Sequence, residues 1–343
     1  MPVQIIAEIG INHNADLDLA IAMIREAAKS GADVIKFQTA VPELVQTKNA
    51  PMAEYQVKNT GKKVSQLEMS RNFHFPLEVF SFLKSEVESY NKIFMSTAFD
   101  LKSLDFLTGL GEEYFKIPSG ELTNLPYLRE IGSRAKKVLM STGMASWNEV
   151  QDALKVLLDC GLHKEQITIL QCNTEYPTPF EDVNLKAMIW MGEQLNVRYG
   201  YSDHTPGIEA AIAAVALGAR VIEKHFTIDK DLPGPDQKAS LNPLEFQSLV
   251  RSIRNVENAL GTYYKKPSPS EIKNKIVARR SVYTAHDISK GDILTLENLI
   301  VLRPETGFSP MRIDELIGRK AIRSMPPQFR LTLDDVEYSS NYL

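Results

Sequence analysis

Eight short apolar runs, each followed by a segment of helical periodicity, constrain this fold more than any other feature of the sequence. In the first such segment, apolar residues from Leu17 to Ala28 fall on one helical face, and Gly31 follows as a cap. The runs cover residues 4–10, 34–38, 93–99, 114–120, 138–143, 167–173, 197–204 and 221–227. Strand–helix alternation repeated eight times predicts a parallel sheet that closes into a (β/α)8 barrel of the TIM type.

An open, doubly wound parallel sheet is the alternative fold. Such sheets usually have fewer strands, and they carry a glycine-rich turn after the first one. Here the first turn reads EIGINHNAD, which does not match G-x-G-x-x-G. The closed barrel is therefore preferred.

The pattern changes after Gly261. The stretch TYYKKPSPSEIKNK is rich in Lys, Pro and Ser, which is typical of a linker, and short alternating apolar segments with turn residues follow it. We assign residues 1–262 to the barrel, 263–275 to a linker and 276–343 to a small β-rich domain. The polar stretch 44–75 is long for a loop, so we expect it to be functional or to contain short helices.

Composition excludes several classes of partner. With a net charge of -4 and a pI near 6.0, no global basic field attracts nucleic acid or an acidic membrane. The two cysteines, Cys160 and Cys172, offer no disulfide framework, and we expect buried thiols. The sequence contains neither a signal-peptide pattern nor an apolar run of membrane-spanning length, so we expect a cytoplasmic protein.

Every predicted strand becomes polar near its carboxyl end, where the strands of such a barrel meet and catalytic groups lie. The two histidines of the last two strands, His204 and His225, are expected at similar depth. Two imidazoles on neighbouring strand ends can bind one divalent ion, whereas either histidine alone is more often a hydrogen-bonded core residue. Because no third protein ligand is evident, this is not a closed structural zinc site, and a site completed by water or substrate suits Mn or Mg at least as well.

Lys36 and Lys116 are the second signal. A lysine in a strand usually points to solvent. Alternatively, these two lysines form ion pairs with Glu8 or Glu223. Together with the hydroxyls of Thr97, Ser119, Ser141 and Ser202, however, two lysines form a pocket suited to a small dianion such as phosphate.

Nucleophilic catalysis is not favoured. Ser202, Asp203 and His204 are adjacent in YSDHTPG, whereas a catalytic triad needs members that fold around one another. Around Cys172 the sequence supplies no local charge that would lower the pKa of its thiol.

Several segments in order resemble the bacterial N-acetylneuraminate synthase family, which includes the legionaminic acid synthases. They are AEIGINHN, VIKFQT, FKIPSGELTNLPYL, STGMAS, QCNTEYPTPFEDVNLKAM, GYSDHTPG, IEKHFTIDK and GPDQKAS. The segment ISKGDILTLENLIVLRPETGFSPMRIDELIGRKA resembles the antifreeze-like (SAF) domain of the same enzymes. The resemblance covers nearly the whole chain.

This resemblance implies condensation of phosphoenolpyruvate with an N-acylated mannosamine-type sugar, and it implies roles for individual residues. His204 and His225 would hold Mn²⁺, with Mg²⁺ or Co²⁺ as alternatives, and Glu8 would lie near the reacting carbons. Arg303 would reach from the SAF domain into the barrel of the partner subunit in a domain-swapped homodimer. Phosphoenolpyruvate would be bound by Lys36, Thr97, Lys116, Ser119, Ser141, Asn173, Thr174 and Ser202, and the sugar by Gln38, Glu121, Tyr176 and Asp236.

Three departures from the family pattern are visible. Ala98 stands where proline is common, Ala15 where glycine is common, and Gln237 where histidine is common beside Asp236. The first two concern loop shape, and the third bears on the choice of sugar.

The sequence leaves the sugar open. N-acetylmannosamine is preferred, which would make the product N-acetylneuraminate, and a diacetamido-trideoxy analogue leading to N,N'-diacetyllegionaminate is the alternative. Two remoter functions are a metal-dependent aldolase acting on a phosphorylated sugar and a non-enzymatic carbohydrate- or ice-binding protein.

Overall fold

The structure is a computed structural model that describes residues 2–337. Met1 and residues 338–343, the outer ends of the two predicted domains, lie outside the described residues. The chain divides into two compact units, Met1–Gly261 and Thr262–Leu343.

The first unit is an eight-stranded parallel barrel, as the sequence predicts. Its sheet order is β3-β2-β1-β8-β7-β6-β5-β4. The strands are β1 Gln4–Gly10, β2 Val34–Thr39, β3 Ile93–Ala98, β4 Tyr114–Ile117, β5 Lys137–Ser141, β6 Ile167–Cys172, β7 Arg198–Asp203 and β8 Val221–His225. The barrel helices are α1 Leu17–Lys29, α5 Val79–Ser89, α6 Leu101–Gly109, α7 Leu125–Arg134, α8 Trp147–Asp159, α9 Leu185–Leu195, α10 Glu209–Ala216 and α11 Pro243–Leu260.

Local sequence explains where these helices begin. Asp16 accepts a hydrogen bond from the backbone N–H of Leu19 at 3.0 Å and caps α1. At the start of α11, Asn242 and Glu245 form a capping box in front of a first-turn proline. Each cap supplies a partner to backbone groups that would otherwise lack one, which stabilises a helix by about 1 kcal/mol.

Side chains inside the barrel lie in layers that follow the two-residue period of the strands. The lowest layer is an apolar floor formed by Ile6, Val34, Met95, Leu139, Leu170 and Val221. At Gly200 of β7, a Cβ atom would collide with the carbonyl oxygen of Val221, so only glycine fits there. Alternate residues, such as Ile5 and Ile222, point outward and form the larger core with the helices. Above this apolar layer, the inward-facing side chains are polar toward the carboxyl ends of the strands.

The barrel closes without a hydrogen-bonded ladder between β3 and β4, although these strands lie side by side. At this seam the buried carboxylate of Glu112 accepts a hydrogen bond from the backbone N–H of Ser96 at 2.9 Å. A side chain therefore satisfies a backbone donor that the missing ladder leaves free.

The polar stretch after β2 contains three short helices, α2 Pro42–Val45, α3 Glu54–Thr60 and α4 Gln66–Phe73. We call residues 42–73 the β2 excursion. An isolated bridge between Pro51 and Ser65 and an ion pair of 2.7 Å between Arg71 and Glu43 hold it together. Its helices agree with the expectation for a loop of this length.

The second unit has its own apolar core, which includes Val282, Leu294, Leu316 and Leu331. It contains α12 Pro269–Ala278 and an antiparallel pair, β9 Ser281–Thr284 and β10 Leu299–Leu302. The expected linker 263–275 requires a correction, because most of α12 lies within it. Ser268 and Glu271 form a capping box around the first-turn Pro269, so a run that reads as a breaker is also a good helix start.

No helix within residues 2–337 is both long enough and apolar enough to cross a membrane.

Candidate active site

A cavity of about 580 Å³ opens at the carboxyl ends of the barrel strands. Thirteen of the predicted site residues line it: Glu8, Lys36, Gln38, Thr97, Lys116, Ser119, Ser141, Thr174, Tyr176, Ser202, His204, His225 and Asp236. The polar strand ends therefore converge as the barrel geometry predicts.

A layer of four buried charges lies in this cavity. The Lys36 ammonium is 2.7 Å from Glu8 and 3.7 Å from Glu223, and the Lys116 ammonium is 2.8 Å from Glu223. Lys36 also donates to the Thr97 hydroxyl at 3.1 Å. The two lysines therefore form ion pairs, which was the alternative, and they also line the cavity.

The two carboxylates of this layer differ in their protonation. Burial raises the pKa of Glu8 to about 7, although Lys36 opposes the shift. Burial acts in the same direction on Glu223, but Lys116 and Lys36 hold the pKa of Glu223 well below its usual value. Glu223 is therefore a permanent anion, whereas Glu8 can exchange a proton near neutral pH.

His204 and His225 lie side by side, with ring centroids 5.3 Å apart. The Nδ1 of His204 donates to the carbonyl oxygen of Asn173 at 2.5 Å, which leaves its Nε2 as an acceptor. Burial and the neighbouring His204 lower the pKa of His225, so this ring is neutral, and its buried Nδ1 has no hydrogen-bond partner within the described residues. Burial acts to lower the pKa of His204, but Cys172 and the Asn173 carbonyl raise it overall. An imidazole that a carbonyl holds at Nδ1 is typical of metal ligands.

Above the histidines lie three of the residues that the resemblance assigns to the sugar. The ring of Tyr176 stacks on His204 at 4.0 Å, and Gln38 donates to Glu8 at 3.0 Å. Burial raises the pKa of Asp236 to about 6. Its carboxylate is 3.9 Å from the His225 Nδ1.

Three predicted site residues are not among those that line the cavity. The Asn173 side chain accepts from the backbone N–H of Glu175 at 2.8 Å, so its contribution to the site is the carbonyl that holds His204. Glu121 accepts from Asn124 at 2.5 Å in the turn after β4. Arg303 belongs to the second unit, where it is exposed after β10. Their predicted ligand contacts stay predictions.

Sequence reasoning missed part of the lining. Glu223, expected only as a possible partner of the two lysines, also lines the cavity, and the β2 excursion contributes Gln46, Tyr55 and Gln56, among others. The excursion carries no metal-ligand or phosphate motif, so only its length gave a signal.

The expectation of buried thiols holds for one of the two cysteines. Cys160 is only partly buried, at the end of α8. Cys172 is buried and lines the cavity. Burial acts to raise the pKa of its thiol, but His204 and Lys116 lower it overall. The positive charge that the sequence around Cys172 lacks comes from residues that other strands supply.

Two of the three departures from the family pattern, Ala98 and Gln237, are next in sequence to site residues. Ala15 has a φ of 55°, in the left-handed region that favours glycine. Gln237 is buried and donates to the carbonyl oxygen of Asn12 at 2.9 Å, next in sequence to Asp236. Ala98 ends β3, and its carbonyl accepts from Tyr127 at 2.5 Å.

Comparisons with known proteins agree with this geometry. Two relatives are named N,N'-diacetyllegionaminic acid synthase. The one from Campylobacter jejuni is 48% identical and covers 93% of this chain and 96% of its own, and the one from Legionella pneumophila is 41% identical and covers 97% and 94%.

A solved N-acetylneuraminic acid (sialic acid) synthetase from Leptospira borgpetersenii superposes with a TM-score of 0.69 at 32% identity. It covers 80% of this chain and 90% of that one. The profile of the NeuB family matches residues 23–265, and the SAF domain profile matches residues 279–337. This chain is therefore an enzyme of the NeuB family that carries a SAF domain.

Proposed function

We propose that the protein condenses phosphoenolpyruvate with the diacetamido-trideoxy analogue of N-acetylmannosamine, giving N,N'-diacetyllegionaminate and phosphate. The observation that carries the reaction class is one cavity in which two adjacent imidazoles lie beside two buried ammonium groups. The names of the two relatives above favour this sugar over N-acetylmannosamine, which the sequence alone preferred.

His204 and His225 would hold a divalent ion, for which Mn²⁺ is our choice. The donor set fits such an ion, because both rings offer a free nitrogen to the cavity and His225 has a buried, unpartnered Nδ1. Within residues 2–337, no group of three or more His, Cys, Asp and Glu side chains has the arrangement of a metal site, so water or substrate would complete the coordination. When bound, such an ion supplies Lewis-acid polarisation of the sugar aldehyde.

Lys36 and Lys116 would bind the phosphate and carboxylate of phosphoenolpyruvate. Glu223 forms ion pairs with both lysines, and Ser141, whose buried Oγ has no partner within the described part of the chain, offers a further donor. Preorganised donors of this kind stabilise charge that develops during reaction.

Glu8 would manage the proton. A carbon–carbon bond forms between the methylene of phosphoenolpyruvate and the aldehyde carbon, and a water molecule adds at C2. Glu8 accepts one proton of this water and returns it to the oxygen of the former aldehyde, which becomes a hydroxyl. The C2–O bond to phosphate then breaks, the C2 hydroxyl becomes the ketone, and its proton leaves with phosphate. With a pKa near 7, Glu8 is suited to accept and return a proton at neutral pH.

The lining of the cavity argues against an aldolase that acts on a phosphorylated sugar. Among the lining residues of the described chain, the lysines and arginines are Lys36 and Lys116, and both belong to the charged layer. A second phosphate on the sugar would have no cation of its own there.

A domain-swapped homodimer, with Arg303 contacting the sugar N-acetyl group in the partner subunit, is part of the proposal, as is a cytoplasmic location. We expect Arg303→Ala to raise the sugar KM with a smaller effect on the KM for phosphoenolpyruvate. An unchanged sugar KM would argue against the swapped contact.

The deciding experiment supplies the full-length protein with Mn²⁺, phosphoenolpyruvate and each candidate sugar. Phosphate release and the mass of the acid product are measured together. Formation of the diacetamido acid at the higher kcat/KM supports the proposal. Preference for N-acetylmannosamine would restore the alternative, and absence of phosphate release with every sugar would reject the condensation.

A further inference from the structure

The β2 excursion forms the outer wall of the cavity and is fastened to the opposite rim. Tyr55 of α3 stacks on Tyr176 at 5.0 Å, and Asn59 donates to the carbonyl oxygens of Tyr176 at 3.3 Å and Pro235 at 2.7 Å. These contacts hold α3 next to two residues assigned to the sugar, Tyr176 and Asp236. The wall therefore has a defined position relative to the sugar.

The chemistry of this wall is neutral. Three carboxamides line it, those of Gln46, Gln56 and Gln66, together with apolar atoms of Val45, Ala53 and Met69. His74 also lines it, and burial lowers the pKa of this histidine, so it is uncharged at neutral pH. A wall of this kind suits amide and methyl groups and does not suit ions.

Two of these carboxamides have hydrogen-bonding capacity left for a ligand. The Oε1 of Gln46 is buried without a partner within residues 2–337, and an unpaired buried acceptor is costly. The Oε1 of buried Gln56 accepts from the backbone N–H of Ala53 at 2.9 Å, which leaves its amide nitrogen as a donor. An acetamido group carries one donor and one acceptor and so complements the pair.

We propose that Gln46 and Gln56 form the subsite for the second acetamido group of the sugar, the one that N-acetylmannosamine lacks. The acetamido N–H donates to Gln46 Oε1, and its carbonyl oxygen accepts from Gln56 Nε2. The methyl group packs against the apolar atoms of the same wall. This inference rests on the proposed function, since it concerns the sugar of that reaction.

The test measures binding of both sugars to the full-length protein with Mn²⁺ and without phosphoenolpyruvate, by calorimetry. In Gln46→Met and Gln56→Met, which keep side-chain length and remove the amide, the Kd for the diacetamido-trideoxy sugar rises about tenfold. The Kd for N-acetylmannosamine stays within about twofold. Equal changes for both sugars, or no change for either, would overturn the subsite.

Gln151→Met, an exposed position on α8, is the matched control and leaves both Kd values unchanged. Thermal unfolding of all three variants establishes that they are folded at the assay temperature. Turnover of the wild-type protein separates the two proposals. Selective binding without phosphate release would reject the condensation and support the subsite. Turnover of the diacetamido sugar with an unchanged Kd in both variants would support the condensation and reject the subsite.

Discussion

The barrel buries two sets of opposite charges that share strand β8, and they differ in what surrounds them. Glu223 points inward and joins Lys36, Lys116 and Glu8. The next residue, Lys224, points outward and pairs with Asp203 at 3.0 Å.

The outward pair does not line the cavity, and most of its bonds go to its own neighbours. Lys224 also donates to the carbonyl oxygen of Thr205, while Asp203 accepts from the backbone N–H and hydroxyl of Thr205 at 2.8 and 2.7 Å. The inward set instead borders the cavity, with an unpartnered Ser141 Oγ nearby and a raised pKa on Glu8. Burial and charge alone therefore do not mark a site. A site is indicated by buried donors or acceptors that lack partners and border an open cavity.

The largest expected effect is the loss of turnover when one of the two histidines that line the cavity is replaced. His204→Ala or His225→Ala removes half of the proposed metal ligands, and we expect turnover to fall by about 1,000-fold, or roughly 4 kcal/mol in activation free energy. The assay follows phosphate release after chelation and readdition of Mn²⁺. Exposed His163→Ala is the control. Full, chelator-resistant activity in either variant would remove the metal from the reaction.

The second prediction concerns the outward pair. Lys224→Met leaves Asp203 buried without its cation, so we expect a loss of about 3–5 kcal/mol in the free energy of unfolding. Lys116→Met is expected to cost less stability, because Glu223 keeps Lys36 at 3.7 Å and the Ser202 hydroxyl at 3.1 Å. Urea unfolding measures both variants. A larger loss in Lys116→Met would break the comparison.

The third prediction uses the pKa of Glu8. If ionised Glu8 accepts a proton, kcat/KM of the wild type rises through about pH 7 and falls by up to about tenfold per pH unit below it. Glu8→Gln should be slow and should lack this inflection. The measurement is a pH profile from 5.5 to 8.5, roughly spanning this pKa. The same inflection in Glu8→Gln would assign it to another group.

Glu112 sharpens the comparison, because this buried carboxyl group forms no ion pair within residues 2–337. Burial raises its pKa from 4.5 to about 8, so the folded protein holds a proton that the unfolded chain releases. Stability is therefore lost as pH rises from about 4.5 to about 8. Glu112→Gln keeps an acceptor for the Ser96 N–H and removes this cost, which is at most roughly 5 kcal/mol for a shift of this size. Its Tm should therefore exceed that of the wild type by several degrees near pH 9.

The matching thermal scans at pH 5 should show little difference between Glu112→Gln and the wild type. A Tm difference that is the same at both pH values would show that ionisation of Glu112 is not its cause.

The sequence by itself determined the barrel and most of the site. Period-two spacing places Glu223 and His225 on one face and Lys224 on the other, and the strand order brings His204 beside His225. These relations depend on local backbone geometry, which a short run of residues encodes.

Only the tertiary structure decided the rest. Lys36 pairs with both Glu8 and Glu223, and His204 and Lys116 lower the pKa of Cys172. Gln46 and Gln56 line the cavity. Each of these contacts joins segments that are far apart in sequence. Pairing and desolvation depend on distances across the closed barrel, and no local pattern encodes those distances.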